Sequence, residues 1–102
     1  MRARDKTFTL LERELNEWGY QLLQGGKPKQ AIEIFRLATR LYPESANAYD
    51  SLADAYDQSG NKAEAIENYR RSIALNPANK NAEQRLAIIS AKRQPSATPD
   101  PG

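Results

Sequence analysis

The chain has 102 residues, 27% of them charged and 39% hydrophobic, with a formal net charge of +2. That length allows one small domain with a modest core, and so small a net charge gives no argument for a nucleic-acid partner. There is no cysteine and no histidine, which excludes a disulfide framework, a thiolate metal site and any Ser/His or Cys/His nucleophile pair.

Taken in chain order, the first predicted helix carries Leu11, Leu15, Trp18, Leu22 and Leu23 at spacings of three and four, the mark of one helical face. Thr9 followed by Glu12 is a capping-box pattern at its start. Gly25-Gly26 ends it, and Pro28 suits the first turn of a second helix. That helix carries Ala31, Ile32, Phe35, Ala38 and Leu41 and stops before Pro43. A third holds Ala48, Tyr49, Leu52, Ala53 and Tyr56 and is terminated by Gly60. Asn61 with Glu64 reads as the N-cap of a fourth, running through Ala65, Ile66, Tyr69, Ile73 and Leu75 to Pro77. A fifth is expected over residues 80–92, with Ala82, Leu86 and Ile89 on its buried side. The stretch QPSATPDPG has three prolines and no apolar side chain larger than alanine, so residues 93–102 are expected to be a disordered tail. No strand-like alternation appears, and the fold class is all-α.

Shifting the sequence by 34 residues pairs 12–45 with 46–79 and matches Gln24/Gln58, Gly26/Gly60, Ala31/Ala65, Ile32/Ile66, Glu33/Glu67, Arg36/Arg70, Leu41/Leu75 and Pro43/Pro77. A period of this length marks stacked supersecondary units. Short turns fold such helices back as antiparallel pairs, and each pair leaves an apolar face that the next covers. Small residues at Gly19, Ala31, Ala53 and Ala65 permit close helix approach, and Phe35, Tyr56 and Tyr69 fill the space between. The domain plan is an N-terminal extension over 1–9 and a repeat domain over 10–92, followed by the tail. Within the domain are repeats 12–45 and 46–79 and a capping helix at 80–92.

The second repeat reads Tyr49, Leu52, Ala53, Tyr56, Ala65, Tyr69 and Pro77, and the first Leu15, Trp18, Gly19, Leu22, Ala31, Phe35 and Pro43. Both resemble the tetratricopeptide repeat, which implies a helical-hairpin solenoid that binds other proteins without catalysis. A narrower likeness runs through GYQLLQGGK, YPESANAYDSLADAY and LNPAN. These stretches are similar to the repeat pair appended to some bacterial serine hydrolases, which implies an accessory role beside a catalytic domain. None of those enzymes' catalytic machinery is in this chain.

Asp50, Asp54 and Asp57 share one face of the third helix. One helix surface offers too few converging oxygens for a cation and no pocket to perturb an acid–base group. No enzyme, metal or cofactor is therefore expected. The first helix of each pair should line the concave side of the stack. The inward set is Arg13, Asn16, Glu17, Tyr20, Leu23 and Gln24 from the first repeat. The second repeat adds Asn47, Asp50, Ser51, Asp54, Asp57 and Gln58, and the capping helix adds Asn81, Gln84, Arg85 and Ile88. This predicts a groove with an acidic centre, the Tyr20 ring on one side and an arginine at each end. It would suit a polar or basic peptide. Family members that clamp the C-terminal carboxylate of chaperone tails use Lys, Asn and Arg at positions matching Asn16, Tyr20, Ser51, Asn81 and Arg85 here. Only Arg85 fits, so that ligand is not expected.

The alternatives are self-association as a homodimer, or docking as an accessory domain on a hydrolase catalytic domain. Ile34, Leu37 and Leu41 form an apolar stripe on the second helix, where the other repeat has Asn68 and Arg71 at two of the three positions. Phe8 and Leu10 could fold over it. Otherwise the stripe is an interface. Trp18 takes a position usually held by leucine and is expected in the core. No apolar run approaches the roughly 20 residues that span a bilayer, and the apolar part of MRARDKTFTLL is too short for a signal peptide. A soluble, cytoplasmic chain with no membrane partner is the expectation, or an extracytoplasmic one if it is part of a longer exported protein.

Overall fold

Among the described residues, the turn residues read in the sequence punctuate five helices: α1 (Glu12–Gln24), α2 (Pro28–Leu41), α3 (Ala46–Gln58), α4 (Lys62–Leu75) and α5 (Lys80–Arg93). A computed structural model describes residues 11–93, without the side chains of Lys92 and Arg93, and contains no strand among them. The expected extension over 1–9, its Thr9 cap, Leu10 and residues 94–102 lie outside the described residues. Helix α5 runs one residue beyond its expected end at Lys92.

Gly26 and Gly60 close α1 and α3 with φ of 78° and 91°, a left-handed backbone that only glycine adopts without a Cβ penalty. Each makes the paired bonds of a Schellman cap. At the first turn the Lys27 amide donates to the Leu22 carbonyl at 2.8 Å and the Gly26 amide to that of Leu23 at 3.0 Å. The second repeats this, with Asn61 to Tyr56 at 2.9 Å and Gly60 to Asp57 at 3.1 Å.

The starts differ more from expectation. Helix α1 begins at Glu12 with Leu11 as N-cap, whose amide donates to the Glu14 carboxylate at 3.4 Å. The side-chain cap predicted at Asn61 does not form. Its amide instead donates to the Ser59 hydroxyl at 3.1 Å. Ser45 caps α3 by accepting from the Ala48 amide at 3.1 Å, and Asn79 caps α5 by accepting from Ala82 at 3.2 Å.

Each helix packs on the next, and α1 also meets α3. Leu23, Ala31, Ile32, Phe35, Leu52 and Ala55 form one buried cluster across α1, α2 and α3. Ala53, Ala65, Tyr69, Ala82 and Ile89 form another across α3, α4 and α5. The rings of Phe35 and Tyr69 are fully enclosed, each contributing about 2–3 kcal/mol of burial. A Cβ on Gly19 would lie 2.3 Å from the Phe35 ring, so glycine is what lets α1 approach α2 there.

Trp18 departs from its expected place in the core and is 50% exposed. Its repeat equivalent, Leu52, is buried because it faces Leu23, Ile32 and Phe35 of the preceding hairpin. Trp18 belongs to the first hairpin and has no such neighbour among the described residues. Leu41 and Leu75, also equivalent by the repeat, are both exposed.

Candidate functional site

Polar residues of the first helices of the two repeats form several separate hydrogen-bonded groups with residues of α4, α5 and the turn before α5. On α3, Asp50, Asp54 and Asp57 follow one another at helical spacing, but each meets a different partner. The Asp54 Oδ2 accepts from the Tyr20 hydroxyl of α1 at 2.6 Å, and its Oδ1 accepts from the Tyr69 hydroxyl of α4. Asp50 is buried; its carboxylate accepts from Asn79 at 3.2 Å and from Asn81 of α5 at 3.1 Å. Asp57 pairs with Lys62 of α4. Asn16 of α1 accepts from the buried Ser51 hydroxyl at 2.6 Å.

Of the predicted groove residues, Tyr20, Asp50, Asp54 and Asn16 are thus drawn into contacts that join α3 to α1, α4 and α5. Asn47 and Arg85 stand exposed on α3 and α5. Leu23 is not in the groove: it is buried in the core beside Phe35 and Leu52. Tyr20 also packs edge-on against Phe35, with ring centres 5.1 Å apart.

Electrostatics follow from this placement. Burial pushes the Asp54 carboxyl above the usual carboxylate range, against the two tyrosine hydrogen bonds; the Asp50 charge adds to the rise and the Arg85 guanidinium opposes it. Burial first, and the bond to Asp54 second, raise both the Tyr20 and the Tyr69 hydroxyls, so they stay protonated donors. Among the described residues no group of three His, Cys, Asp or Glu side chains is placed to hold a metal ion. No described helix is long and apolar enough to cross a membrane.

The alternative face is only partly available. Ile34 and Leu37 are half-buried against the cluster of Leu15, Ala38 and Ala48, and of the stripe only Leu41 stands clear at 48% exposure.

Sequence reasoning missed several of these residues, Tyr69 and Asn79 among them. Tyr69 was assigned to packing, and its ring does pack, but its hydroxyl reaches back to Asp54. Asn79 joins three elements at once, capping α5 while its amide donates to Asp50 and, at 2.8 Å, to Ser72. The repeat held the signal, because Asn79 stands 34 residues after the other cap, Ser45.

Family models for the tetratricopeptide repeat match residues 17–45 and 46–79. The chain belongs to the tetratricopeptide repeat family. Repeats of this kind are protein–protein interaction modules, typically without catalysis, and that is the class of this chain. It is 28% identical over 75 residues to the cellulose synthase operon protein C of Escherichia coli K12, and equally to the putative protein of that name from the O157:H7 strain. The match covers 74% of this tetratricopeptide repeat chain and 6% of each relative's length. The likeness to appendages of serine hydrolases finds no support in these matches.

Proposed function

We propose that the face shared by α1, α3 and α5 binds a polar or basic peptide segment, with a cationic side chain over Asp50 and Asp54 and a carboxylate toward Arg85. One observation carries this reading: the donors that hold Asp50 and Asp54 are all neutral, two asparagine amides for one and two tyrosine hydroxyls for the other. Hydrogen bonds of this kind fix the carboxylates without cancelling their charge, and each ionised carboxylate keeps acceptor capacity. Asp57 is different, since Lys62 neutralises it. The centre of the groove therefore narrows to two pre-positioned carboxylates, with Asn47 exposed on α3 and Arg85 on α5. Ordering those groups in advance lowers what a ligand must lose on binding.

The test is a titration with a lysine–serine peptide, with its glutamate–serine counterpart as control. The lysine peptide should bind more weakly as salt rises. Asp54→Asn should weaken it by about tenfold, the worth of one charge-assisted hydrogen bond, while Asp57→Asn changes it little. Equal binding of the two peptides, or equal effects of the two substitutions in folded protein, would overturn the reading.

A further inference from the structure

A second surface lies between the other two helices. A cleft of about 500 Å³ runs between α2 and α4, floored by side chains of α3. Its α2 wall is basic, with Arg36 and Arg40 one turn apart. Its α4 wall carries Glu64 and Glu67, with Asn68 and Arg71 beside them. Among the described residues no ion pair joins the two walls.

The charges facing the cleft are largely uncommitted. No described side chain pairs with Arg36, Arg40 or Glu64. Glu67 pairs with Arg71 at 3.2 Å on the same helix, but both side chains are more than half exposed, at 55% and 57%, and such a pair is worth only a few tenths of a kcal/mol. The floor is aromatic. Tyr49 and Tyr56 are half-buried, neither hydroxyl has a partner among the described residues, and the Arg71 guanidinium lies 6.0 Å from the Tyr49 ring centre. Tyrosine and arginine are, with tryptophan, the side chains most enriched at the energetic centres of interfaces.

The internal repeat supplies an independent indication. Positions 34 and 37 of the first repeat are Ile and Leu and pack against the core, whereas their equivalents Asn68 and Arg71 line this cleft. The second repeat thus departs from the first by becoming polar at the positions that face the cleft.

From these observations we infer that the α2–α4 cleft is a docking surface for a helical protein segment carrying acidic side chains along one flank and basic side chains along the other. Acidic groups would meet Arg36 and Arg40, basic groups would meet Glu64 and Glu67, and the apolar stem between them would lie on the two tyrosines. The surface is separate from the Asp50/Asp54 face, so each can be occupied while the other is free.

The probes are two synthetic helical peptides of identical composition, one with glutamates and lysines segregated to opposite flanks and one with them mixed. Amide and tyrosine resonances of the intact chain report where each binds. The segregated peptide should perturb Tyr49, Tyr56 and Asn68 and bind at least about tenfold more tightly than the mixed one. Replacing both arginines, Arg36→Glu with Arg40→Glu, should abolish that preference without loss of helical circular dichroism. Adding Glu64→Lys and Glu67→Lys should restore it, because the swapped walls accept the same peptide in reverse. Absence of binding, equal binding of the two peptides, perturbation centred on Tyr20 and Arg85 instead, or failure of the fourfold swap to restore the preference would each overturn the inference.

Discussion

Single side chains decide how closely the helices meet. Gly19→Ala would place a methyl carbon 2.3–2.8 Å from three carbons of the Phe35 ring, and that ring is fully buried and cannot swing aside. The overpacking should cost about 1–3 kcal/mol, against roughly 1 kcal/mol of helix propensity gained. A net loss of stability by urea denaturation is expected, whereas the same exchange on an exposed helix would stabilise. Asp54 makes a prediction in pH. Its folded carboxyl titrates above the ordinary value of 3.8, so between the two values the folded state binds more protons than the unfolded one. Stability contributed by this group is therefore fully present below pH 3.8 and is lost as pH rises through the folded value. Subtracting the curve of Asp54→Asn from that of the parent isolates the slope, and a difference that rises with pH would contradict the burial of this carboxyl. Trp18, the single tryptophan, is half exposed. Its emission should be red-shifted and readily quenched by acrylamide in the folded protein.

The helices themselves were legible because their limits are written in local chemistry. Glycines at 26 and 60 stop helices whatever surrounds them, and the three-and-four spacing of apolar residues fixes which face turns inward. Caps were less legible, since a side chain that can cap has competing partners. Asn61 has the residue type and spacing of a cap, yet its amide goes to Ser59. Ser45 and Asn79 do cap, and each also reaches a neighbouring helix: Ser45 donates to Glu12 of α1, and Asn79 holds Asp50 of α3. The site was less legible still. Periodicity places Asp54 on its face of α3, but only the stacking of α1 and α4 brings two tyrosine hydroxyls to it, and Trp18 lacks, among the described residues, the hairpin that buries its equivalent Leu52. The double role of the caps has a measurable consequence. Ser45→Ala should cost about 1 kcal/mol, as a lost cap does. Asn79→Ala should cost more, about 2–3 kcal/mol, because it also removes a donor from a buried carboxylate. Equal losses in chemical denaturation would mean that the Asn79 bonds to Asp50 and Ser72 contribute no more than the Ser45 bond to Glu12.

At the scale of the whole molecule, α3 is the element on which the others depend. It shares two clusters with α1 and α2 and a further one with α4 and α5. It also carries both Asp50 and Asp54, whose partners lie on α1, α4, α5 and the turn before α5. Among the described residues, the end helices have neighbours on one side only. Of the described side chains of α5, only Ala82 and Ile89 are buried, and α1 turns Trp18 outward. In a stack held by nearest-neighbour contacts, local opening starts where the fewest contacts are lost. Native-state hydrogen exchange should therefore be slowest in α3, intermediate in α2 and α4, and fastest in α5. Tyr69→Phe sharpens the test. It leaves the buried ring in place but releases one of the two hydroxyls on Asp54, so it should speed exchange in α4 and α5 more than in α1 and α2. Uniform acceleration through all five helices would mean that the chain opens as one cooperative unit, and that the Asp54 network is not what links the second hairpin to the first.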